Sequence, residues 1–332
     1  MNFKALVLTK NADKTIPPTI AIQQLSQDSL PEGNVTIKVH YSTLNYKDAL
    51  AITNKSPIAR ISPLVLGIDG VGEVVESHDE RYQVGQKVIL NGWGVGEKHW
   101  GCLAEYARLD ANWVIPLPNG ISEWESMAIG TAGYTAALCV LKLIKSGVKA
   151  EDGPVLVTGA TGGVGSIAVS LLAKLGYQVT ASTGKAESIE YLKSLGAMAT
   201  IDRNELSEAG KPLQKEIWAA AVDTVGSNTL ANVCAQMKYN GVVAACGLAQ
   251  GMDFPATVAP FILRGVTLAG IDSVMVDYAS RVEAWQFLAQ NLDKSQLKTV
   301  AKTISLDECI EAGKAMINSK VTGRFVVDLA QS

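Results

Sequence analysis

The sequence predicts an α/β chain in two parts: a β-rich part, and a doubly wound parallel sheet covered by helices. Three observations carry this. The chain has 332 residues, roughly twice the usual domain size. Its first 120 residues read as short β segments punctuated by Gly and Pro. From Pro154 onward strands and helices alternate, which places a parallel sheet between two helical layers. The expected division is 1–122 with 295–332 for the β-rich domain, and 123–294 for the parallel-sheet domain.

In order along the chain, "KALVL" opens as a strand, "VTIKVHYS" alternates, and "GVGEVVES" and "GQKVILNG" follow. The texture changes near Ile121. "ISEWESMAIGTAGYTAALCVLKLIKSG" is long and apolar, and Ser122 with Glu125 three residues later is a capping box. Then come strand 155–158, helix 163–175, strand 178–182, helix 187–195 and strand 199–202. Strand 220–224, helix 227–237 and strand 241–246 continue the pattern. "VTLAGIDSV" is one more strand, and two helices lead to a last strand, "GRFVVDL". No internal repeat or low-complexity tract interrupts this order.

Composition excludes several classes. With 48% hydrophobic residues the chain can bury large cores, and a net charge of −3 offers no global attraction to nucleic acid or an anionic membrane. The five cysteines are scattered, without metal-ligand spacing, and their odd number does not read as a disulfide framework. A reducing compartment fits them. The opening "MNFKALVLTKNADK" reads as a strand rather than a signal peptide. No membrane span is expected. The expectation is a cytoplasmic protein.

The chemistry starts at "VLVTGATGGVG". After strand 155–158 come Gly159, Gly162, Gly163 and Gly165, then an amphipathic helix with Val164, Ile167, Ala168, Leu171, Leu172 and Leu175 on one face. Glycines let the backbone approach a pyrophosphate, and the helix N-terminus supplies N–H groups and partial positive charge. A dinucleotide site is therefore expected, with Thr161, Gly162, Gly163 and Val164 against the phosphates. The same loop matches the Thr-Gly-x-x-x-Gly-x-Gly pattern of short-chain dehydrogenases. Those carry it near the N-terminus and need a Tyr-x-x-x-Lys pair, and none of the nine tyrosines here has Lys four residues on.

The second strand ends "Ser182-Thr183-Gly184-Lys185", where an NAD site usually places Asp or Glu. A hydroxyl, backbone N–H groups and an ammonium favour a 2′-phosphate instead. Thr183, Gly184, Lys185 and the later Arg203 are thus expected to hold NADPH. The alternative is that Thr183 and Lys185 are solvated loop residues and Glu187 serves the ribose.

"Gly67-Ile68-Asp69-Gly70-Val71-Gly72" resembles the Gly-His-Glu-Gly signature of the medium-chain dehydrogenase/reductase superfamily. In its zinc members the His binds the catalytic metal. Here Ile68 replaces it, "Leu44-Asn45-Tyr46" replaces a Cys ligand, and the four-cysteine structural-zinc lobe is missing. The chain therefore resembles the zinc-independent, quinone-oxidoreductase-like members. "STLNYKDALAIT", "GWGVGEKHWGCLAEYA", "GTAGYTAALCV", "VAACGLAQG" and "PFILRGVTLAGIDSVM" resemble, within these, the acrylyl-CoA reductase branch.

The resemblance implies a GroES-like catalytic domain beside a Rossmann-type domain, and NADPH-dependent reduction of acrylyl-CoA to propanoyl-CoA without metal. It implies a homodimer joined through the edge strand near 266–271. It also implies nicotinamide-end contacts from Tyr46, Cys246-Gly247-Leu248, Ile262 and Ser273, and one from Ser319, where close relatives more often carry Asn.

Catalytic candidates lie in "Asn45-Tyr46-Lys47-Asp48". Tyr46 is the first choice, as a phenol donor to the substrate oxygen or a contact to the nicotinamide end; the alternative is an aromatic core residue. Asn45 is an amide donor or a helix cap. Asp48 orients Lys47 or occupies a first helical turn. Lys47, Lys55 and Arg60 can hold CoA phosphates, or form a solvated loop. A conjugated thioester accepts hydride as an enolate that hydrogen-bond donors stabilise, which suits a metal-free site. A quinone suits it too, so NADPH:quinone oxidoreductase is the alternative. A dinucleotide-binding sensor with little catalysis is the third reading, and the polar "NYKD" cluster argues against it.

Overall fold

The computed structural model describes every residue except Lys14, Ser319, Lys320, Gln331 and Ser332. The expectation for Ser319 thus lies outside the described residues. The chain divides into two units. One holds Met1–Thr131, Val274–Glu283 and Leu297–Ser332; the other holds Ala132–Ser273 and Ala284–Gln296.

In chain order the elements begin with β1 (Asn2–Thr9), β2 (Thr19–Ser26), β3 (Val35–Leu44), α1 (Tyr46–Ile52), β4 (Leu64–Val65), β5 (Asp69–Ser77), β6 (Lys87–Asn91), β7 (Tyr106–Leu109), β8 (Val114–Pro116) and α2 (Glu123–Lys145). They continue with β9 (Val155–Val157), α3 (Gly163–Lys174), β10 (Val179–Thr183), α4 (Ile189–Ser194), β11 (Ala199–Asp202), α5 (Asn204–Ser207), β12 (Trp218–Asp223), α6 (Ser227–Ala235), β13 (Met237–Ala245), α7 (Ala259–Arg264) and β14 (Thr267–Gly270). The chain closes with α8 (Tyr278–Asn291), α9 (Leu297–Val300), β15 (Ala301–Ser305), α10 (Cys309–Ile317) and β16 (Arg324–Asp328).

The first unit is β-rich. A larger sheet runs β15-β16-β3-β5-β6-β8, with β7 also paired to β3, and a smaller one runs β2-β1-β4. In β3, Ile37 and Val39 are buried on either side of exposed Lys38, the alternation of a strand with one face on a core. They join Leu66, Leu90 and Leu103 in the main core of this unit. α10 packs closely on α1, because Gly313 has no side chain to hold Ile52 away.

The second unit is a six-stranded sheet in the order β11-β10-β9-β12-β13-β14, all pairs parallel. This is the doubly wound order, reversing direction between β9 and β12. Val155, Leu156 and Val157 are all fully buried, as expected of a central parallel strand covered on both faces.

α2, the long apolar segment of the sequence, is long and apolar enough to cross a membrane by length and composition, although no span was expected there. Most of its apolar window (78%) is buried inside the protein, as in a core helix. It is also not one continuous helix: Gly130 breaks it with φ 50° and ψ −164°.

Candidate functional site

The nucleotide end of the second unit is built largely from backbone. It lies beyond the carboxyl end of β9, where the strand order reverses and α/β sheets bind ligands. Gly159 turns the chain with φ 57°, and a Cβ there would sit 2.3 Å from Thr224 Oγ1. Gly165 lets α3 start close to the turn, since its Cβ would lie 2.4 Å from the Gly159 carbonyl oxygen. The helix N-cap is Gly162, with no side chain to take up the first-turn N–H groups. The residues present thus fit a bound pyrophosphate: an uncapped helix start set close behind a tight glycine turn. Thr161 and Val164 are half-buried beside it.

The residues expected at the 2′-end lie where β10 and β11 finish. The Lys185 N–H donates to Thr183 Oγ1 at 3.1 Å, and the Arg203 N–H donates to the Thr183 carbonyl at 3.1 Å. A Cβ on Gly184 would lie 2.4 Å from Arg203 Nε and 2.8 Å from its Cζ, so the guanidinium rests directly against this glycine. The fold thus gathers Thr183, Gly184, Lys185 and Arg203. Glu187, the alternative ribose partner, is exposed in the next turn. Leu248 is 61% exposed and Ile262 73% exposed, so neither is a core residue. Ser273 follows β14 and is half-buried.

Asp223 escaped the sequence reading. It ends β12, fully buried, and accepts hydrogen bonds from Thr158 Oγ1 at 2.7 Å and the Gly226 N–H at 2.8 Å. It ties the end of β9, just before the glycines, to the turn after β12. Burial pushes its pKa up, against the pull of these hydrogen bonds. The only sequence signal was a carboxylate ending an otherwise apolar strand, "WAAAVD".

In the first unit, α1 begins immediately after β3 and carries the polar candidates. Tyr46 is 57% exposed, which removes the core alternative. Asn45 is the N-cap, with extended backbone (φ −102°, ψ 166°). Its N–H donates to Asp48 Oδ2 at 2.8 Å, and the Ile68 N–H donates to Asp48 Oδ1 at 3.2 Å. Asp48 is therefore a buried brace between α1 and the turn before β5. It does not orient Lys47, whose ammonium donates to Glu97 Oε1 at 2.6 Å. Burial pushes the Asp48 pKa up to about 7, with neighbouring Asp69 adding to the effect and the two backbone donors opposing it. Lys55 and Arg60 are exposed, and the Arg60 N–H donates to the Glu97 carbonyl at 2.7 Å.

Beneath α1 lies a cluster of residues far apart in sequence. Asp69 is fully buried and accepts four hydrogen bonds. Asn45 Nδ2 (2.8 Å) and the Thr131 N–H (2.7 Å) reach Oδ2. Asn91 Nδ2 (2.7 Å) and the Thr131 hydroxyl reach Oδ1. Arg324, 4% exposed, donates from Nη2 to Thr43 Oγ1 at 3.2 Å and to Asn45 Oδ1 at 3.4 Å. Burial lowers its pKa to about 10, while Asp69 and Asp48 pull the other way. The break at Gly130 makes room, since a Cβ there would lie 2.3 Å from Arg324 Nη2 and 2.9 Å from Asp69 Oδ2. Asn45 is thus a cap whose amide is held inside the protein at both ends.

These residues do not make a zinc site. Ile68 has no ligand atom, and the Asn45 amide is engaged with Asp69 and Arg324. Among the described residues no group of three or more His, Cys, Asp or Glu could hold a metal ion.

Known proteins resemble this chain along its full length. Residues 31–119 match the alcohol dehydrogenase GroES-like domain, and 163–290 match the family described as zinc-binding dehydrogenase. The probable acrylyl-CoA reductase AcuI of Escherichia coli (strain K12) is 52% identical over 98% of this chain and 99% of its own. The acrylyl-CoA reductase AcuI of Ruegeria pomeroyi is 48% identical, also over 98% of this chain and 99% of its own. The putative quinone oxidoreductase YhfP of Bacillus subtilis is 45% identical over the same shares. The crystal structure of E. coli K-12 YhdH with bound NADPH superposes with a TM-score of 0.95 at 51% identity, covering 98% of this chain and 99% of that one. That of B. subtilis YhfP with NAD bound gives 0.94 at 44% identity, covering 99% of each. With these matches over a GroES-like β unit and a doubly wound dinucleotide unit, the chain belongs to the medium-chain dehydrogenase/reductase family.

Proposed function

We propose that the protein reduces the C=C bond of acrylyl-CoA to give propanoyl-CoA, using NADPH and no metal. One observation carries the choice of reaction. Where a zinc alcohol dehydrogenase places metal ligands, this chain has an aliphatic side chain and a cap amide held from within, with the exposed Tyr46 phenol beside them. Polarising an isolated carbonyl calls for a Lewis acid, whereas an enoyl thioester takes hydride at Cβ and spreads the charge to its oxygen as an enolate. A phenol donor suffices for that oxygen. When bound, NADPH supplies the hydride. Tyr46 donates a hydrogen bond to the thioester oxygen, and solvent delivers the proton to Cα.

Thr161, Gly162, Gly163 and Val164 are assigned to the pyrophosphate. Thr183, Gly184, Lys185 and Arg203 are assigned to the 2′-phosphate, and Leu248, Ile262 and Ser273 to the nicotinamide end. The exposed apolar side chains of Leu248 and Ile262 support the last assignment. Lys55 and Arg60 are exposed cations free to meet CoA phosphates, while Lys47 is already paired with Glu97. The protein is assigned as a cytoplasmic homodimer. The support is that β14 ends the sheet at residues 267–270, and an open edge strand is an association hazard unless paired. A second reading, NADPH:quinone oxidoreductase, draws support from the similarity to YhfP.

The test mixes purified protein with NADPH and acrylyl-CoA and follows loss of reduced-nicotinamide absorbance. NADH replaces NADPH in one control, and a simple quinone replaces the thioester in another. Turnover with the thioester, faster with NADPH, is expected. Turnover with the quinone alone would move the function to the second reading.

A further inference from the structure

The charges under α1 need an explanation that stability does not supply. Burying a carboxylate and a guanidinium is costly, and a well-packed apolar replacement is often neutral or better. Yet Asp69 and Arg324 are both buried, and two other features make room for them. Gly130 breaks α2 where a side chain would collide with both, and Thr131 turns its N–H and its hydroxyl onto Asp69.

Both charged groups converge on the Asn45 side chain. Its Nδ2 donates to the carboxylate of Asp69 and its Oδ1 accepts from the guanidinium of Arg324. Flipping the amide would set oxygen against carboxylate and NH2 against guanidinium, two repulsions in place of two hydrogen bonds. The amide is therefore fixed in one orientation. Asn45 is the N-cap of α1, and Tyr46 is the first residue of that helix. An error at the cap is carried directly into the position of the Tyr46 phenol.

We propose that Asp69 and Arg324 are positioning residues of the reductase: by clamping the Asn45 amide from both ends they hold the start of α1, and with it Tyr46, in the reactive geometry. This rests on the assignment of Tyr46 to the reaction given above. Neither charged residue touches the substrate. Each acts through Asn45, and misplacement of a reacting group by about 1 Å costs on the order of a hundredfold in rate.

The test is a double-mutant cycle on kcat, using Asp69→Asn, Asn45→Ala and the pair. Asp69→Asn is expected to lower kcat about tenfold to a hundredfold. The KM for NADPH is expected to stay within about twofold, because the affected cluster contains none of the residues assigned to the dinucleotide. In the Asn45→Ala background, Asp69→Asn is expected to cost little more. A merely structural role would instead multiply the two losses, and that result, or wild-type kcat in Asp69→Asn, overturns the inference. Should Asp69→Asn fail to fold, Arg324→Lys keeps the cation, loses the fork, and is read in the same cycle. If the wild type reduces neither thioester nor quinone, the proposed function fails separately. Hydrogen exchange in residues 44–52 then decides: faster exchange in Asp69→Asn or Arg324→Lys supports the clamp, and unchanged exchange overturns it.

Discussion

The nucleotide end of the second unit and the polar cluster of the first are built in opposite ways. The nucleotide end works by absence. Gly165 leaves out a side chain so that backbone can close up, Gly159 so that Thr224 can pack against it, and Gly184 so that Arg203 can lie against it. The cluster under α1 works by presence. Asn45, Asp69, Asn91, Thr131 and Arg324 each bring a polar group to a buried point and hydrogen-bond one another there. A backbone site is damaged by adding atoms, whereas a side-chain network is damaged by removing charge while keeping shape.

That contrast ranks the consequences of substitution. Gly165→Val should have the largest effect, because its Cβ alone meets backbone at 2.4 Å with no flexible group to give way. NADPH affinity is expected to fall by at least about a hundredfold, measured by nicotinamide fluorescence titration. Ordinary affinity would show that the close start of α3 is not needed. Tyr46→Phe comes next. Loss of the phenol hydrogen bond should lower kcat by about a hundredfold, the scale of one oxyanion donor, with NADPH binding little changed. Full retention of activity would remove Tyr46 from the chemistry.

Arg203→Ala is expected to be milder and selective. Losing one charge-assisted contact to a 2′-phosphate should weaken NADPH binding about tenfold to a hundredfold and leave NADH binding nearly as it was. Equal losses for both cofactors would mean that Arg203 serves a part they share.

The smallest effect is on the pH dependence of stability. Asp48 has a pKa of about 7 in the folded protein against an ordinary value of 3.8. Between these two values the folded state holds a proton that the unfolded state has released. Asp48 therefore favours the folded state most at low pH, and that contribution is lost as pH rises through the window toward 7. The melting temperature of the wild type relative to Asp48→Asn should fall by a few degrees between pH 5 and pH 8. A constant difference would show that Asp48 does not titrate there.

How much of each region was legible in the sequence follows from the same contrast. The glycines, the strand before them and the helix after them are contiguous, so "VLVTGATGGVG" shows both the turn and the reason for it. Bringing Arg203 beside Gly184 needed one longer step, which the alternation of strands and helices supplied. The cluster was only half legible. "NYKD" stood out as polar residues at a strand-to-helix turn, but Asp69 looked like part of a family signature and Arg324 like the start of a last strand. Nothing local says that residues 45, 69, 91, 131 and 324 meet, because strand pairing across the larger sheet brings 45, 69, 91 and 324 together and α2 carries 131 to them. The break at Gly130 was hidden for the same reason. A side chain there would collide with Arg324 and Asp69, which only the fold places beside it.

The central claim is hydride transfer from NADPH to the β-carbon of an activated double bond. It is tested most directly by running the reaction with NADPH carrying deuterium at C4, each face labelled in turn, and locating the label in propanoyl-CoA by mass spectrometry. Deuterium at Cβ from one of the two labelled cofactors, with a solvent proton at Cα, is the predicted result. Label at Cα, or propanoyl-CoA with no label from either cofactor, would contradict it.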